Sequence, residues 1–339
     1  MQESSRPYRI AVLGDGAWGT ALALTLLQNR HQVTLWGPFP ENLHVIRQTR
    51  SNPFLKGVSI PEELLVEEDL GKAVKQAEIL LLAAPSQYLR GTLEKLQKFF
   101  DPSAHTVVNI AKGIELGTLK RMSELCFEML GDSIRYAALS GPSHAEEVAR
   151  NIPTAVVVAS TDQKCAGEIQ TVFMNDFFRV YTSTDLVGVE LGGALKNVYA
   201  VATGITDGME MGDNPKAAMM TRAIAELSRL GVKLGGDPQT FAGLSGVGDL
   251  IVTCMSRHSR NRFVGEALGK GKTLEAITQE MGMTVAEGVK TALSAYELSR
   301  KYQVETPIIQ VMYEILYASK CPSEAVRELM TRKARCEKD

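Results

Sequence analysis

Cysteine is sparse and scattered in this 339-residue chain: five residues, at 126, 165, 254, 321 and 336, with no Cys-x-x-Cys pair. An odd number without ligand spacing points to neither a disulfide framework nor a thiolate zinc site. Histidine is equally thin, five in all. Neither His144 nor His258 has a second histidine at ligand spacing, so no metal is expected. Long apolar runs are missing too. Ile79–Ala84 is far shorter than the ~20 residues that cross a bilayer, and Met1–Pro7 has no apolar signal core. The expectation is a cytoplasmic protein without membrane insertion. Neither sign of charge dominates. Thirty-seven Lys+Arg against 39 Asp+Glu give a net charge of −2, so no nucleic-acid partner is expected. What the chain does have is apolar material, 45% of residues, enough for about two cores at ~150 residues per domain.

The apolar material is distributed in two textures. Up to about residue 184, short apolar runs alternate with helical patterns. Tyr8–Leu13, Gln32–Trp36, Ile79–Ala84, Thr106–Ile110 and Tyr136–Leu139 read as strands. Thr20–Arg30, Asp69–Ala77 and Gln87–Phe100 read as the helices between them, which predicts a parallel α/β sheet. Thr154–Ala159 and Phe178–Tyr181 are placed to complete it. Beyond Thr184 helical patterns dominate: Asp185–Gly208, Pro215–Leu230, Arg262–Leu268, Val285–Tyr302, Pro307–Ala318 and Pro322–Thr331. Asn214-Pro215 reads as a helix start and Gly231 as a stop. The expected architecture is a Rossmann-type dinucleotide-binding α/β domain over residues 1–186, followed by an all-α substrate and catalytic domain over 187–339.

Gly14-Asp15-Gly16-Ala17-Trp18-Gly19 follows the first strand and opens the first helix. The first glycine allows the tight turn, the second lets a pyrophosphate approach the backbone, and the third lets helix and strand pack closely. The helix N-terminus adds amide donors and a positive dipole. A dinucleotide site is expected, with Gly14, Gly16 and Gly19 around the cofactor. An acid about twenty residues on would take the ribose 2′-hydroxyl. Here Leu35–Pro40 offers no carboxylate before Glu41 and no base before Arg47. NAD and NADP both stay open, with a slight lean to NADP.

Lys196 stands on a stripe of small residues, Gly192, Gly193, Ala200 and Gly204, which cost helix propensity, ~1 kcal/mol for each glycine. Small neighbours make sense where a second backbone or a ligand must come close to the lysine; a solvated lysine on a tightly packed helix is the plainer alternative. Asp249 follows the glycine-rich Gly243–Gly248, either as a first-turn carboxylate or as an acid turned inward to orient a lysine. Ser256-Arg257-His258-Ser259-Arg260-Asn261-Arg262 offers three forked guanidiniums with neutral serine and asparagine donors, the chemistry of phosphate recognition, although an exposed basic loop would look the same. Ala111-Lys112-Gly113 and Ser140-Gly141-Pro142-Ser143 lie just beyond strands, where open α/β sheets bind ligands.

Taken in order, the Gly14–Thr20 turn, Ala111–Gly113, Ser140–Ala145, Leu191–Gly208, Gly243–Cys254 and Ser259–Asn261 resemble the bacterial-type NAD(P)-dependent glycerol-3-phosphate dehydrogenases, from about Tyr8 to Ala318. The resemblance implies a homodimer that reduces dihydroxyacetone phosphate for glycerophospholipid synthesis. It implies Lys196 as proton donor and acceptor with Asp249 beside it. Lys112, Gly141, Ser143, Ser259, Arg260 and Asn261 would complete the substrate site. Ala17, Trp18, Lys112, Ala145, Arg260, Val285 and Glu287 would touch NAD or NADP. Pro38 departs from the His or Arg that members commonly place near the adenosine ribose. Two other readings remain: a related dehydrogenase acting on a hydroxy acid or a sugar acid such as 6-phosphogluconate, and a non-catalytic dinucleotide sensor. The sensor gives no reason for Lys196, Asp249 and Arg260 to occur together.

Overall fold

The computed structural model describes residues 6–282 and 286–337. Its strands all precede residue 184: β1 (Arg9–Leu13), β2 (Gln32–Trp36), β3 (Ser51–Asn52), β4 (Leu55–Ser59), β5 (Leu65–Glu67), β6 (Ile79–Leu82), β7 (Thr106–Asn109), β8 (Arg135–Ser140), β9 (Thr154–Ala159) and β10 (Phe178–Ser183). Eight of them form one sheet in the order β10-β9-β8-β7-β6-β1-β2-β5, and β3 and β4 pair separately. Leu13 is level with both Trp36 and Leu82. The carboxyl ends of β1, β2 and β6 therefore share one edge, the edge at which open α/β sheets bind ligands.

Both faces of the sheet are covered, which explains why its strands are almost continuously apolar. Ile10, Val12, Ile79, Leu81 and Val108 pack on one face. Ala11, Leu13, Leu80, Leu82 and Val107 pack on the other. Successive residues thus alternate between two buried layers.

The α/β Rossmann-type half and the all-helical half expected from the sequence are both present, and no strand follows residue 183 among the described residues. Several details differ. β9 runs antiparallel to β8, because the connection between them holds only the four-residue helix Ala145–Val148. At ~1.5 Å per residue that helix covers ~6 Å, far less than the length of β8, so it does not serve as a crossover helix. The helix expected from Pro215 to Leu230 spans Asp213–Lys233, with Gly212 before it in a positive-φ conformation. Gly231 does not stop that helix. It leaves room for the Phe241 ring, whose Cε1 would lie 2.6 Å from a Cβ there. The helix Pro40–Thr49 and the edge strand β5 follow β2 without a clear pattern in sequence. The helix expected from Val285 begins at Glu287 within the described residues.

The long helix Leu186–Gly208, here the lysine helix, joins the two halves. Asp185 caps it by accepting from the Gly188 amide at 2.8 Å. Leu186 and Val189 pack into the sheet-side core. Leu191, Leu195, Val198 and Val201 pack into the helical core.

Candidate active site

Lys196 lies near the middle of the lysine helix and is only 7% exposed. Its Nζ donates to Asp249 Oδ1 at 2.5 Å and to Thr253 Oγ1 at 2.7 Å. Asp249 is the first residue of the helix Asp249–Met255, yet its carboxylate turns inward and is 1% exposed. Its other oxygen, Oδ2, accepts from Lys112 Nζ at 2.6 Å. Lys112 comes from the loop after β7, and it also donates to the Gly141 carbonyl after β8 at 3.0 Å. One carboxylate is therefore clamped between two lysines, one from each half of the chain.

The small residues around Lys196 make this clamp possible. A Cβ on Gly192 would lie 2.6 Å from the Ser245 carbonyl oxygen, on the segment that delivers Asp249. A Cβ on Gly193 would lie 2.6 Å from Ser140 Oγ and 3.4 Å from the Lys112 side chain. The stripe is bare because backbone and Lys112 approach it, and Lys196 is not a solvated residue.

Burial pushes the Lys196 ammonium down to about 8; Asp249 opposes that fall and Lys112 adds to it. Burial alone would raise Asp249, but the charges of Lys112 and Lys196 outweigh it and hold the carboxyl below its ordinary value. Two cations against one anion leave net positive charge inside the site. Such a site favours a developing oxyanion. His144 is also kept neutral, by burial first and the nearby Lys196 second. Its ring centroid is 5.9 Å from that of His258, and among the described residues no group of histidine, cysteine and acidic side chains could hold a metal.

A second network flanks the clamp. Asn197 Oδ1 accepts from Asn261 Nδ2 at 2.9 Å, and Asn261 Oδ1 accepts from the Gly288 amide at 2.9 Å. Asn197 Nδ2 donates to the Lys112 carbonyl at 3.3 Å. Ser259 caps the helix Arg260–Gly269 by accepting from the Arg262 amide. Of the arginines there, Arg262 is held by Asp207 at 2.8 Å. Arg260 is exposed, and its side chain makes no hydrogen bond or ion pair among the described residues. Ser143 Oγ donates to the Gly141 carbonyl at 2.9 Å. Gly141 itself has φ +137, with Val156 Cα 3.0 Å from where a Cβ would stand.

The Gly14–Gly19 turn shows what a dinucleotide needs. A Cβ on Gly14 would lie 2.7 Å from the Ala83 carbonyl oxygen, and one on Gly19 would lie 2.9 Å from Ala83 Cβ. Those two glycines are required by packing. A Cβ on Gly16 would meet nothing within 4 Å, so its smallness serves open space in front of the helix Ala17–Gln28. That helix has no side-chain cap and no acid in its first turn, and its first amides have no acceptor within the helix. Trp18 Nε1, Ser86 Oγ and Ser140 Oγ are buried without hydrogen-bond partners. The residues present fit a pyrophosphate-bearing cofactor. Glu287 Oε1 accepts from the Ser86 amide at 2.9 Å, beside the end of β6, and Ala145 opens the short helix after β8. Val285, expected at the cofactor, lies outside the described residues.

Sequence reasoning missed Thr253 and Asn197. Thr253 could have been found, since it stands one helical turn after Asp249 and shares its face. Asn197 carries no such signal; only the fold brings it to Asn261.

Two family models together match most of the chain: the NAD-dependent glycerol-3-phosphate dehydrogenase N-terminus over residues 9–166 and the corresponding C-terminus over 185–327. A glycerol-3-phosphate dehydrogenase [NAD(P)+] of Thermoanaerobacter sp. (strain X514) is 52% identical over 96% of this chain and 97% of its own length. The enzyme of the same name from Chlorobium limicola is 49% identical over 97% of this chain and 99% of its own. The crystal structure of glycerol-3-phosphate dehydrogenase from Coxiella burnetii superposes with a TM-score of 0.92 at 34% identity, covering 96% of this chain and 99% of that one. With two matching models and relatives aligned nearly end to end, the chain belongs to the NAD-dependent glycerol-3-phosphate dehydrogenase family.

Proposed function

We propose that this protein is an NAD(P)-dependent glycerol-3-phosphate dehydrogenase in which Lys196 moves the proton and Arg260 holds the substrate phosphate. The observation that carries this reading is the buried clamp of Lys196, Asp249 and Lys112 at the same edge of the sheet as the glycine turn. A dinucleotide held by that turn would supply the hydride for C2 of dihydroxyacetone phosphate, or take it up in the reverse direction. Lys196 gives its proton to the C2 oxygen during reduction and takes it back during oxidation. Asp249 and Thr253 fix where that ammonium points, and the excess positive charge stabilises the oxyanion as it forms. Arg260, free of protein partners, forks onto the phosphate, with Ser259 and Asn261 beside it. Lys112, Gly141 and Ser143 line the substrate from the sheet side. Residues 1–186 would hold the dinucleotide and 187–339 the substrate. The same proposal includes a cytoplasmic homodimer whose product enters glycerophospholipid synthesis. No described helix is long and apolar enough to cross a membrane.

Because Lys196 is pushed down to about 8, the two directions of the reaction should respond oppositely to pH. The ammonium needed for reduction is lost above pH ~8, and the free amine needed for oxidation is gained there. Lys196→Ala should lower kcat by ~10³-fold or more while leaving cofactor affinity within a few-fold. A variant that keeps more than about a tenth of wild-type kcat removes Lys196 from the chemistry.

The hydroxy-acid reading is separated by Arg260. Well-made charge-assisted hydrogen bonds are worth ~1.5–3 kcal/mol each. Arg260→Ala should therefore cost ~100-fold or more in kcat/KM for dihydroxyacetone phosphate, and far less for unphosphorylated dihydroxyacetone. Equal losses on both substrates would assign Arg260 to the cofactor or the fold instead.

A further inference from the structure

The second strand ends in Trp36-Gly37-Pro38 with no acid where a dinucleotide fold ordinarily presents one to the adenosine ribose. The structure fills that place from another direction. Asp15, between the first two glycines of the turn, is 5% exposed, and its carboxyl group lies directly over Gly37. A Cβ built on Gly37 would fall onto that carboxyl, 2.6 Å from Oδ2. The side chain that would normally grow from the end of β2 is thus replaced by one reaching over from the turn.

The replacement is held rigidly. Asn42, in the helix that follows β2, donates its amide to Asp15 Oδ2 at 2.6 Å. Asn52 donates to the Asp15 carbonyl and to Thr20 Oγ1, both at 2.8 Å. The Gly14 amide donates to the Trp36 carbonyl at 2.8 Å, so turn and strand end are tied together directly. No lysine or arginine forms an ion pair with Asp15 among the described residues. Burial raises the Asp15 pKa, with the Asn42 hydrogen bond opposing the rise. A buried carboxylate without a cation is stabilised by further hydrogen-bond donors and destabilised by a second anion. A ribose diol offers the first, and a ribose 2′-phosphate imposes the second.

We propose that Asp15 is the cofactor-preference residue of this enzyme: it accepts from the ribose hydroxyls of NAD(H) and disfavours the 2′-phosphate of NADP(H). This rests on the dinucleotide site argued above and reverses the slight lean to NADP drawn from the bare end of β2. Gly37 is bare where the Asp15 carboxyl sits, and a side chain there would push that carboxyl out of the position in which Asn42 holds it.

The test uses ADP-ribose and 2′-phospho-ADP-ribose, which carry the adenosine end without the reactive nicotinamide, titrated into the full-length protein by calorimetry. The wild type should bind ADP-ribose ~10-fold or more tightly than its 2′-phosphorylated form. Asp15→Asn keeps the shape and removes the charge, and it should shift that ratio ~10-fold or more toward the phosphorylated ligand. Asp15→Ala should do the same while also weakening ADP-ribose several-fold. The kcat/KM ratio for NADPH over NADH should move in parallel. A folded Asp15→Asn variant with a ratio within twofold of wild type overturns the assignment and leaves Asp15 as a support for Asn42. The wild-type titration is decisive by itself if a variant fails to fold, because equal or tighter binding of 2′-phospho-ADP-ribose overturns the proposal. Absence of any ADP-ribose binding to the wild type overturns the dinucleotide reading together with it.

Discussion

At the scale of single residues, the site depends on a balance between desolvation and charge. An ammonium as buried as Lys196 would lose its proton far below the usual lysine range if it stood alone, and Asp249 limits the fall to about 8. Asp249→Asn removes the charge and retains the shape, so Lys196 should titrate lower still, with Lys112 now unopposed beside it. The prediction is a drop in kcat of ~10–100-fold for reduction at neutral pH. The rising limb of glycerol 3-phosphate oxidation should also move to lower pH. A pH profile with its midpoint unmoved would return Asp249 to a first-turn carboxylate without influence on the lysine. This balance was only partly legible beforehand. Lys196 announced itself by the absence of bulky neighbours, and Asp249 by following a run of glycines. That one carboxylate serves two lysines could not be read, because Lys112 is 137 positions from Asp249 and no local pattern records the meeting. Asp15 was hidden for a different reason. The acid that dinucleotide folds use is expected on β2, and here it comes from inside the glycine turn.

At the scale of elements, the lysine helix is built to be approached. Gly204 and Gly208 face the helix Arg260–Gly269, whose Gly265 and Gly269 face back. A Cβ on Gly204 would lie 2.8 Å from the Glu266 amide nitrogen, and one on Gly269 would lie 2.5 Å from the Ile205 carbonyl oxygen. Two backbones in contact bring Asn261 to Asn197, the neighbour of Lys196 in the chain. Propensity and packing make opposite predictions at such positions. Gly→Ala inside a helix gains ~1 kcal/mol from propensity, while overpacking costs ~1–3 kcal/mol. A backbone amide cannot rotate away, so packing should win at Gly204. We expect Gly204→Ala to lower the Tm by a few degrees. Gly167→Ala, in the helix Gln163–Phe173 with nothing within 4 Å of the new methyl, should raise it. Thermal unfolding of the two variants side by side checks the sign at each site. The same packing explains where local rules misled. Gly231 reads as a helix stop in sequence, but its bareness answers the Phe241 ring, which comes from a separate short helix. Strong apolar strands such as β1 and β6 were legible because both faces are buried. The three-residue edge strand β5 has too little pattern to be seen.

At the scale of the whole molecule, the site exists only where the halves meet. Lys112 belongs to the sheet half, and Asp249 and Lys196 belong to the helical half. Glu287 similarly reaches from the helical half to the Ser86 amide at the end of β6. Parting the halves would take Lys112 from its carboxylate and leave Asp249 to Lys196 alone. The clamp therefore couples the seating of one half on the other to the proton chemistry of Lys196. Lys112 acts on that lysine as a like charge and pushes it down. Lys112→Gln should lift this repulsion and leave Asp249 to Lys196 alone, so the Lys196 ammonium should be harder to deprotonate. The oxidation limb should move to higher pH, opposite to its movement in Asp249→Asn. Absolute rates will fall in both variants, since Lys112 also faces the substrate in the proposed site, so the informative quantity is the midpoint of kcat/KM against pH. Opposite displacements of the two midpoints identify Lys196 as the titrating group. If both variants move the midpoint the same way, or neither moves it, the group that titrates is not the lysine held between Asp249 and Thr253, and the proton must travel by another residue.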